Sequence, residues 1–357
     1  MKIGKYNIEK PIIQGGMGVG ISWDQLAGNV ALEGGLGVIS AVGTGYYQNK
    51  DFSLKNVKNK PHTEKNFYSK SGLTEIIKNA RKICGDKPLA CNVLYASNDY
   101  GRIVRDACEA GVDIIITGAG IPTNMPEFTM DFPNVALIPI VSSARALKLI
   151  CKKWKRYNRL PDAVIVEGPL SGGHQGFKYD DCFKEEFELE RIVPPVIEEA
   201  NNWGDMPIIA AGGIWDKNDI DKFLAMGCSG VQMATRFIAT HECDADSSFK
   251  DVLINAEASD IKLLKSPVGL PARGVMTNLQ KAIVEGTAPK VACISNCVAP
   301  CNRGVEAKLV GYCIADRLSA AYMGDTETGL FFTGANGYRI KNIISVKELM
   351  VKLTNGE

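Results

Sequence analysis

The sequence predicts an α/β chain folded as a (β/α)8 TIM barrel with a helical C-terminal extension. Three observations predict it. Eight short, nearly all-apolar runs recur between residues 11 and 234, as parallel strands covered on both faces require. Helical spacing fills gaps between them. Gly-rich turns follow several of the runs, at the strand ends where a parallel barrel builds its active face. A doubly wound open sheet is the alternative arrangement of the same elements.

The eight runs are Pro11 to Gly16, Leu36 to Ala41, Pro88 to Leu94, Asp113 to Thr117, Val135 to Val141, Ala163 to Glu167, Pro207 to Ala211 and Gly230 to Ala234. After the first, Ser22 followed three residues later by Gln25 reads as a capping box, and Gly34–Gly35 as a helix stop. Ile76, Ile77, Ala80 and Ile83 keep helical spacing. So do Ile220, Phe223 and Leu224, ending at Gly227. Residues 42–72 are polar and rich in Lys and Asn, which predicts a long loop or short helices over one barrel end. Residues 241–357 stop repeating βα units. They are expected to form a helical extension or lid, so the chain divides into a barrel at 1–240 and an extension at 241–357.

Composition narrows the function classes. The chain has 357 residues and a formal net charge of +1, with no basic block or tail, so nothing argues for nucleic acid or an acidic membrane surface. No run of about 18 apolar residues exists, and MKIGKYNIEK has no signal-peptide core. A cytoplasmic enzyme acting on a small molecule is expected, with self-association left open. Eleven cysteines are many for such a chain. Thiols stay reduced in the cytoplasm, so metal or redox chemistry outweighs disulfides.

Unusual residues gather at the predicted strand ends. The first strand runs into Gly15, Gly16 and Met17, where glycines let backbone approach a flat ligand; a plain tight turn is the alternative. Asn92 interrupts the apolar third strand. Its amide donates and accepts at once, which matches the edge of a flavin pyrimidine ring, or else it is satisfied by backbone. Glu167 closes the sixth strand, and the loop through Gly172 and Gly173 then delivers His174. A histidine among glycines on a catalytic-face loop is seldom a packing residue, and imidazole can take a proton from carbon beside an electron-poor group. His62 and His241 lie in polar surroundings and are read as structural or solvent-facing.

The seventh strand ends at Gly212–Gly213. The eighth carries Gln232, Met233, Ala234 and Thr235. Barrels often bind phosphate there, through glycine amides and a hydroxyl such as that of Thr235. The phosphate could belong to a cofactor or to a substrate. No Walker pattern and no dinucleotide fingerprint is present, which argues against a dedicated nucleotide fold and leaves transient NAD(P)H binding open.

Taken in order, PIIQGGMGVG, LACNVLY, VEGPLSGGHQGF, IIAAGGI and GVQMATRF resemble the nitronate monooxygenase family, formerly 2-nitropropane dioxygenases, whose superfamily includes the flavin-dependent enoyl-acyl-carrier-protein reductase II. The resemblance covers about residues 1–240. It implies FMN held noncovalently at the barrel mouth, with Asn92, Glu167, Gly172, Gly213 and residues 232–235 at the cofactor and His174 as the catalytic residue. Ala234 stands where the family usually has Gly. The implied reaction oxidises alkyl nitronates with O2 to a carbonyl compound and nitrite. The alternative is an NAD(P)H-dependent flavin enoyl-thioester reductase. A flavin-free barrel acting on a sugar phosphate is a remote third.

Cys293, Cys297 and Cys301 are spaced four apart, and Cys313 follows. Four thiolates can hold an iron–sulfur cluster or zinc; buried reduced cysteines packing a small lid are the alternative.

Overall fold

The computed structural model describes residues 1–48, 67–287, 297–299, 301 and 312–356. All eight apolar runs form strands: β1 (Ile12–Gln14), β2 (Gly37–Ser40), β3 (Leu89–Leu94), β4 (Ile114–Gly118), β5 (Ala136–Val141), β6 (Val164–Glu167), β7 (Ile208–Ala211) and β8 (Gly230–Met233). They are parallel, each beside its sequence neighbour, and β8 returns to β1.

The barrel closes between β1 and β2. The Gln14 amide donates to the Leu36 carbonyl at 3.0 Å and that of Leu36 to Ile12 at 2.9 Å. The fully buried Gln14 side chain extends the seam: its Oε1 accepts from the Val38 amide at 3.0 Å and its Nε2 donates to the Val38 carbonyl at 3.3 Å. A side-chain amide carries the donor and the acceptor that a missing ladder rung would supply. The open-sheet alternative is thereby excluded.

Side chains alternate across each strand. Ile13, Val38, Ala90, Ile116, Ile138, Ile165 and Ile209 fill the barrel interior, joined from below by Ile3 and Ile8 of a short N-terminal hairpin. Their neighbours Ile39, Cys91, Ile115, Leu137, Val166 and Val231 face the surrounding helices. These are α1 (Asp24–Leu32), α2 (Lys70–Cys84), α3 (Tyr100–Glu109), α4 (Ala144–Trp154), α5 (Leu189–Asn201) and α6 (Lys217–Ala225). After β4 a 3-10 turn, Met125–Thr129, stands where a helix would. After β8 comes only the four-residue α7 (Thr235–Ile238).

Three sequence expectations change. Lys70 to Gly72, expected within a polar loop, begin α2; of the rest of 42–72, residues 49–66 and His62 among them lie outside the described residues. The segment after residue 240 is not purely helical. Besides α8 (Ser247–Ile254), α9 (Asn278–Val284), α10 (Ile314–Tyr322) and α11 (Val346–Asn355), it contains a β-hairpin, β9 (Ile261–Lys265) and β10 (Pro271–Val275). α11 packs against α1 and α6 on the outside of the barrel, burying Leu349, Met350 and Leu353.

Third, Ser22 does not cap α1. Its hydroxyl accepts from the Met17 amide instead, at 2.8 Å. The helix starts one residue later and is capped across 220 residues of chain by Asp244, whose carboxylate accepts from the amides of Trp23 (2.8 Å), Gln25 (3.0 Å) and Leu26 (3.1 Å). Its two oxygens satisfy three otherwise orphaned donors, although burial pushes the Asp244 carboxyl up to about 7. The other end behaves as expected, with Gly34 at φ +87°. Asp244→Ala is expected to cost about 0.5–2 kcal/mol, the range for a lost helix cap, with Asp244→Asn recovering part of it through its remaining oxygen. Thermal or urea unfolding of the two variants checks this, and unchanged stability in both would remove Asp244 from the capping role.

Candidate active site

The alternation that fills the barrel also sets its upper floor. Toward the C-terminal strand ends the inward positions include Ser40, Asn92, Gly118, Ile140, Glu167, Ala211 and Gln232, and all border one cavity of about 1590 Å³. Typical ligand pockets run to about 1,000 Å³ at most, so there is room for two partners.

Every barrel residue assigned to the site from the sequence borders this cavity. Gly15, Gly16 and Met17 line it from the first strand end; a Cβ on Gly16 would lie 2.4 Å from that of Asn92, so backbone and amide share a space no larger residue fits. Asn92 is 7% exposed, and its side-chain amide makes no hydrogen bond within the described residues, so the backbone-satisfied alternative fails. Gly212 and Gly213 both adopt left-handed φ, +95° and +83°. Gln232, Met233, Ala234 and Thr235 line the adjoining wall. Among the described residues the Gln232 Oε1 is buried without a partner. The Thr235 hydroxyl accepts from the Gly334 amide at 2.9 Å, which leaves its own proton free to donate.

The loop carrying Gly172, Gly173 and His174 is stitched in place by the C-terminal segment. Gly173–His174 form a short strand antiparallel to β10, with His174 opposite Ala272 and Gly173 opposite Arg273. The buried Arg273 donates to the Pro169 carbonyl at 2.8 Å, and the buried Gln175 amide holds the Ser171 and Gly173 carbonyls, each at 2.9 Å. The His174 ring meets Phe332 edge-on at 5.4 Å, and its Nε2 lies 2.8 Å from the Ser266 hydroxyl.

Burial decides the protonation states. It pushes the His174 imidazole down to about 4 and the Glu167 carboxyl up to about 7. At neutral pH the ring is therefore uncharged. His241, by contrast, is exposed.

Several lining residues escaped the sequence reading. Ser40, Ser266, Phe332, Thr333, Gly334 and Asn336 all reach the cavity. Asn336 donates to the Gly213 carbonyl at 2.6 Å. The Gly334-Ala335-Asn336-Gly337 run is a turn signal that could have pointed there; Ser266 carries none. Of the cysteines, Cys297 borders the cavity, while Cys301 and Cys313 are half-buried and do not. Cys293 lies outside the described residues, among which no group of three or more His, Cys, Asp or Glu could hold a metal ion.

Comparison with known proteins sets this geometry in context. The nitronate monooxygenase family model matches residues 1–356. A probable nitronate monooxygenase of Staphylococcus aureus (strain JH9) is 26% identical over 289 residues, 75% of this chain and 76% of that protein. A (3aS,4S,5R,7aS)-5-hydroxy-7a-methyl-1-oxo-octahydro-1H-indene-4-carboxyl-CoA dehydrogenase of Rhodococcus jostii (strain RHA1) is 25% identical over 276 residues, 77% of this chain and 65% of that one. Among solved structures, FabK from Thermotoga maritima superposes with a TM-score of 0.74 at 25% identity, covering 98% of this chain and 93% of its own. Nitroalkane oxidase from Streptomyces ansochromogenes shares the fold, with a TM-score of 0.69 at 20% identity over 98% and 95% of the chains.

The raised Glu167 carboxyl has a stability consequence. Between the ordinary 4.5 and about 7 the folded chain holds a proton that the unfolded chain has released, so this group's contribution to stability falls as pH rises through that window. Glu167→Gln removes that slope, and its melting temperature relative to wild type is expected to rise between about pH 5 and pH 8. Parallel melting-temperature profiles would show that the carboxyl titrates normally.

Proposed function

The chain belongs to the nitronate monooxygenase family, and from that premise we propose an FMN-dependent oxidoreductase that oxidises alkyl nitronates with O2 to a carbonyl compound and nitrite. One observation carries the reading: unsatisfied polar groups from β3 and β8 border the same cavity as an uncharged histidine.

The residues present fit FMN. A flavin pyrimidine ring carries both N–H and carbonyl groups. The buried Gln232 Oε1 needs a donor, and the Asn92 amide can serve as donor and acceptor. At the other end, the Gly213 amide makes no hydrogen bond within the described residues, and the Thr235 hydroxyl has a proton to give; both suit phosphate oxygens. Gly334 and Asn336 brace these two groups from the C-terminal segment. When bound, FMN supplies the electron acceptor and the reaction with O2.

The protein's own part is proton handling and orientation. A neutral His174 can take the proton from the carbon beside a nitro group and then pair, as imidazolium, with the nitronate formed. Its depressed pKa makes it a weak base in the ligand-free cavity. An anion alongside favours the charged ring and offsets that handicap. Phe332 meets the ring edge-on, and Leu264, Val268 and Leu318 add apolar lining to the cavity.

A second reading is NAD(P)H-dependent reduction of an enoyl thioester. It draws support from the cavity, larger than FMN and a small nitronate require, and from the Rhodococcus relative, whose name specifies a carboxyl-CoA substrate.

The purified protein is expected to be yellow with a flavin spectrum; colourless protein that FMN cannot reconstitute would refute both readings. Mixed anaerobically, a nitronate should bleach the flavin, and bleaching by NADH alone would move the assignment to the reductase. His174→Asn should keep FMN yet lose on the order of 10²-fold or more in turnover of a neutral nitroalkane, with a smaller loss on a preformed nitronate. Wild-type rates on both would take His174 out of the proton step.

A further inference from the structure

His174 stands at the edge of an apolar wall. Leu264 and Ile314 belong to one hydrophobic cluster, Val268, Leu318 and Phe332 pack against it, and all five border the cavity. Every one comes from the C-terminal segment. None lies on a barrel strand, where Asn92 and Gln232 sit.

Local structure explains the arrangement. Ile314 and Leu318 are four apart on α10 and so share one helix face. Leu264 lies on β9 and Val268 in the turn that follows it. Tyr312 and Leu330, 1% and 0% exposed, complete the cluster without reaching the cavity. The Tyr312 hydroxyl donates to the Lys265 carbonyl at 2.8 Å, which ties the chain before α10 to the end of β9. The wall is thus held by its own small core. It meets the histidine at two points. Phe332 packs edge-on to the ring, with 5.4 Å between centroids. Ser266, between Leu264 and Val268 in the chain, has its hydroxyl 2.8 Å from Nε2.

We propose that this wall is the tail site of the substrate, and that the enzyme selects nitronates with an alkyl chain of several carbons over those of one or two. The assignment rests on the nitronate reading and names its substrate class. The charged head stays beside His174 while the tail lies along Leu264, Val268, Leu318 and Phe332. A short nitronate leaves this surface against water. A longer tail removes two apolar surfaces from water at once, which tightens binding by up to about fourfold per buried methylene. A tail ending in a charge would have to shed its hydration against the same residues. The cavity of about 1590 Å³ has room for such a chain beside a cofactor.

Straight-chain monocarboxylates share the two-oxygen anionic head of a nitronate and are inert to flavin. Acetate through hexanoate are titrated into the FMN-loaded protein, read by flavin absorbance and by the shift in melting temperature. Kd should fall about two- to fourfold per added methylene, and KM for the matching nitronates should fall in parallel. Leu318→Asn should flatten the dependence to less than about twofold per methylene, and Val268→Thr should flatten it partway. A retained flavin spectrum shows that a variant has folded; if Leu318→Asn has not, Val268→Thr decides. Three results would each overturn the proposal. One is hexanoate that fails to bind saturably, or a Kd independent of chain length. Another is the wild-type dependence persisting in the folded variants. The third is a dicarboxylate binding more tightly than the monocarboxylate of equal length, which would give the tail to Lys178 or Lys265 at the cavity border. If the carboxylates behave as stated and no nitronate is turned over, the tail site stands and the nitronate reading falls.

Discussion

Closure of the barrel at the β1–β2 seam is the constraint from which the rest follows. Once Gln14 and Leu36 join the first two strands, every inward position is committed to a shared interior. Apolar side chains fill the lower layers, as dense packing requires. The top layer has no protein above it, and there the inward positions of β2, β3, β6 and β8 become Ser40, Asn92, Glu167 and Gln232. Polar residues are tolerated because that layer borders a cavity. Left in a closed core they would each cost the desolvation of an unpaired group, about 1–3 kcal/mol.

The C-terminal segment completes the site rather than merely covering it. Its β-hairpin takes the Gly173–His174 strand as a third member, and Arg273 and Gln175 tie down the carbonyls around it. A Gly-rich loop is entropically costly to order, so a histidine delivered on one needs such external bonds to hold a working geometry. The same segment supplies Gly334 and Asn336 at the other end of the cavity and Asp244 at the start of α1. One stretch of chain thus anchors the histidine loop, the glycine turn after β7 and the helix after β1.

Burial gives the two titratable groups opposite displacements. The imidazole is kept neutral and the carboxyl is held near neutrality, so at physiological pH neither carries a firm charge before a ligand arrives. An anionic ligand entering beside His174 would shift that balance toward imidazolium.

Much of this was legible in the sequence. The eight apolar runs specified the strands, because residues buried on both faces of a parallel sheet must be apolar throughout. Breaks in that pattern specified the cavity wall, since Asn92 and Glu167 are polar where a closed core would forbid it. His174 stood out by its glycine setting. Tertiary structure alone decided what meets across long separations. Ser22 has the local pattern of a cap, yet Asp244 takes the role, because two carboxyl oxygens can accept from three amides where a single hydroxyl cannot. Ser266 has no local signature, since its part depends on a hairpin bringing it to a ring 92 residues away in the chain. Periodicity reports which face of an element is buried; it holds no information about which distant side chain will lie against that face.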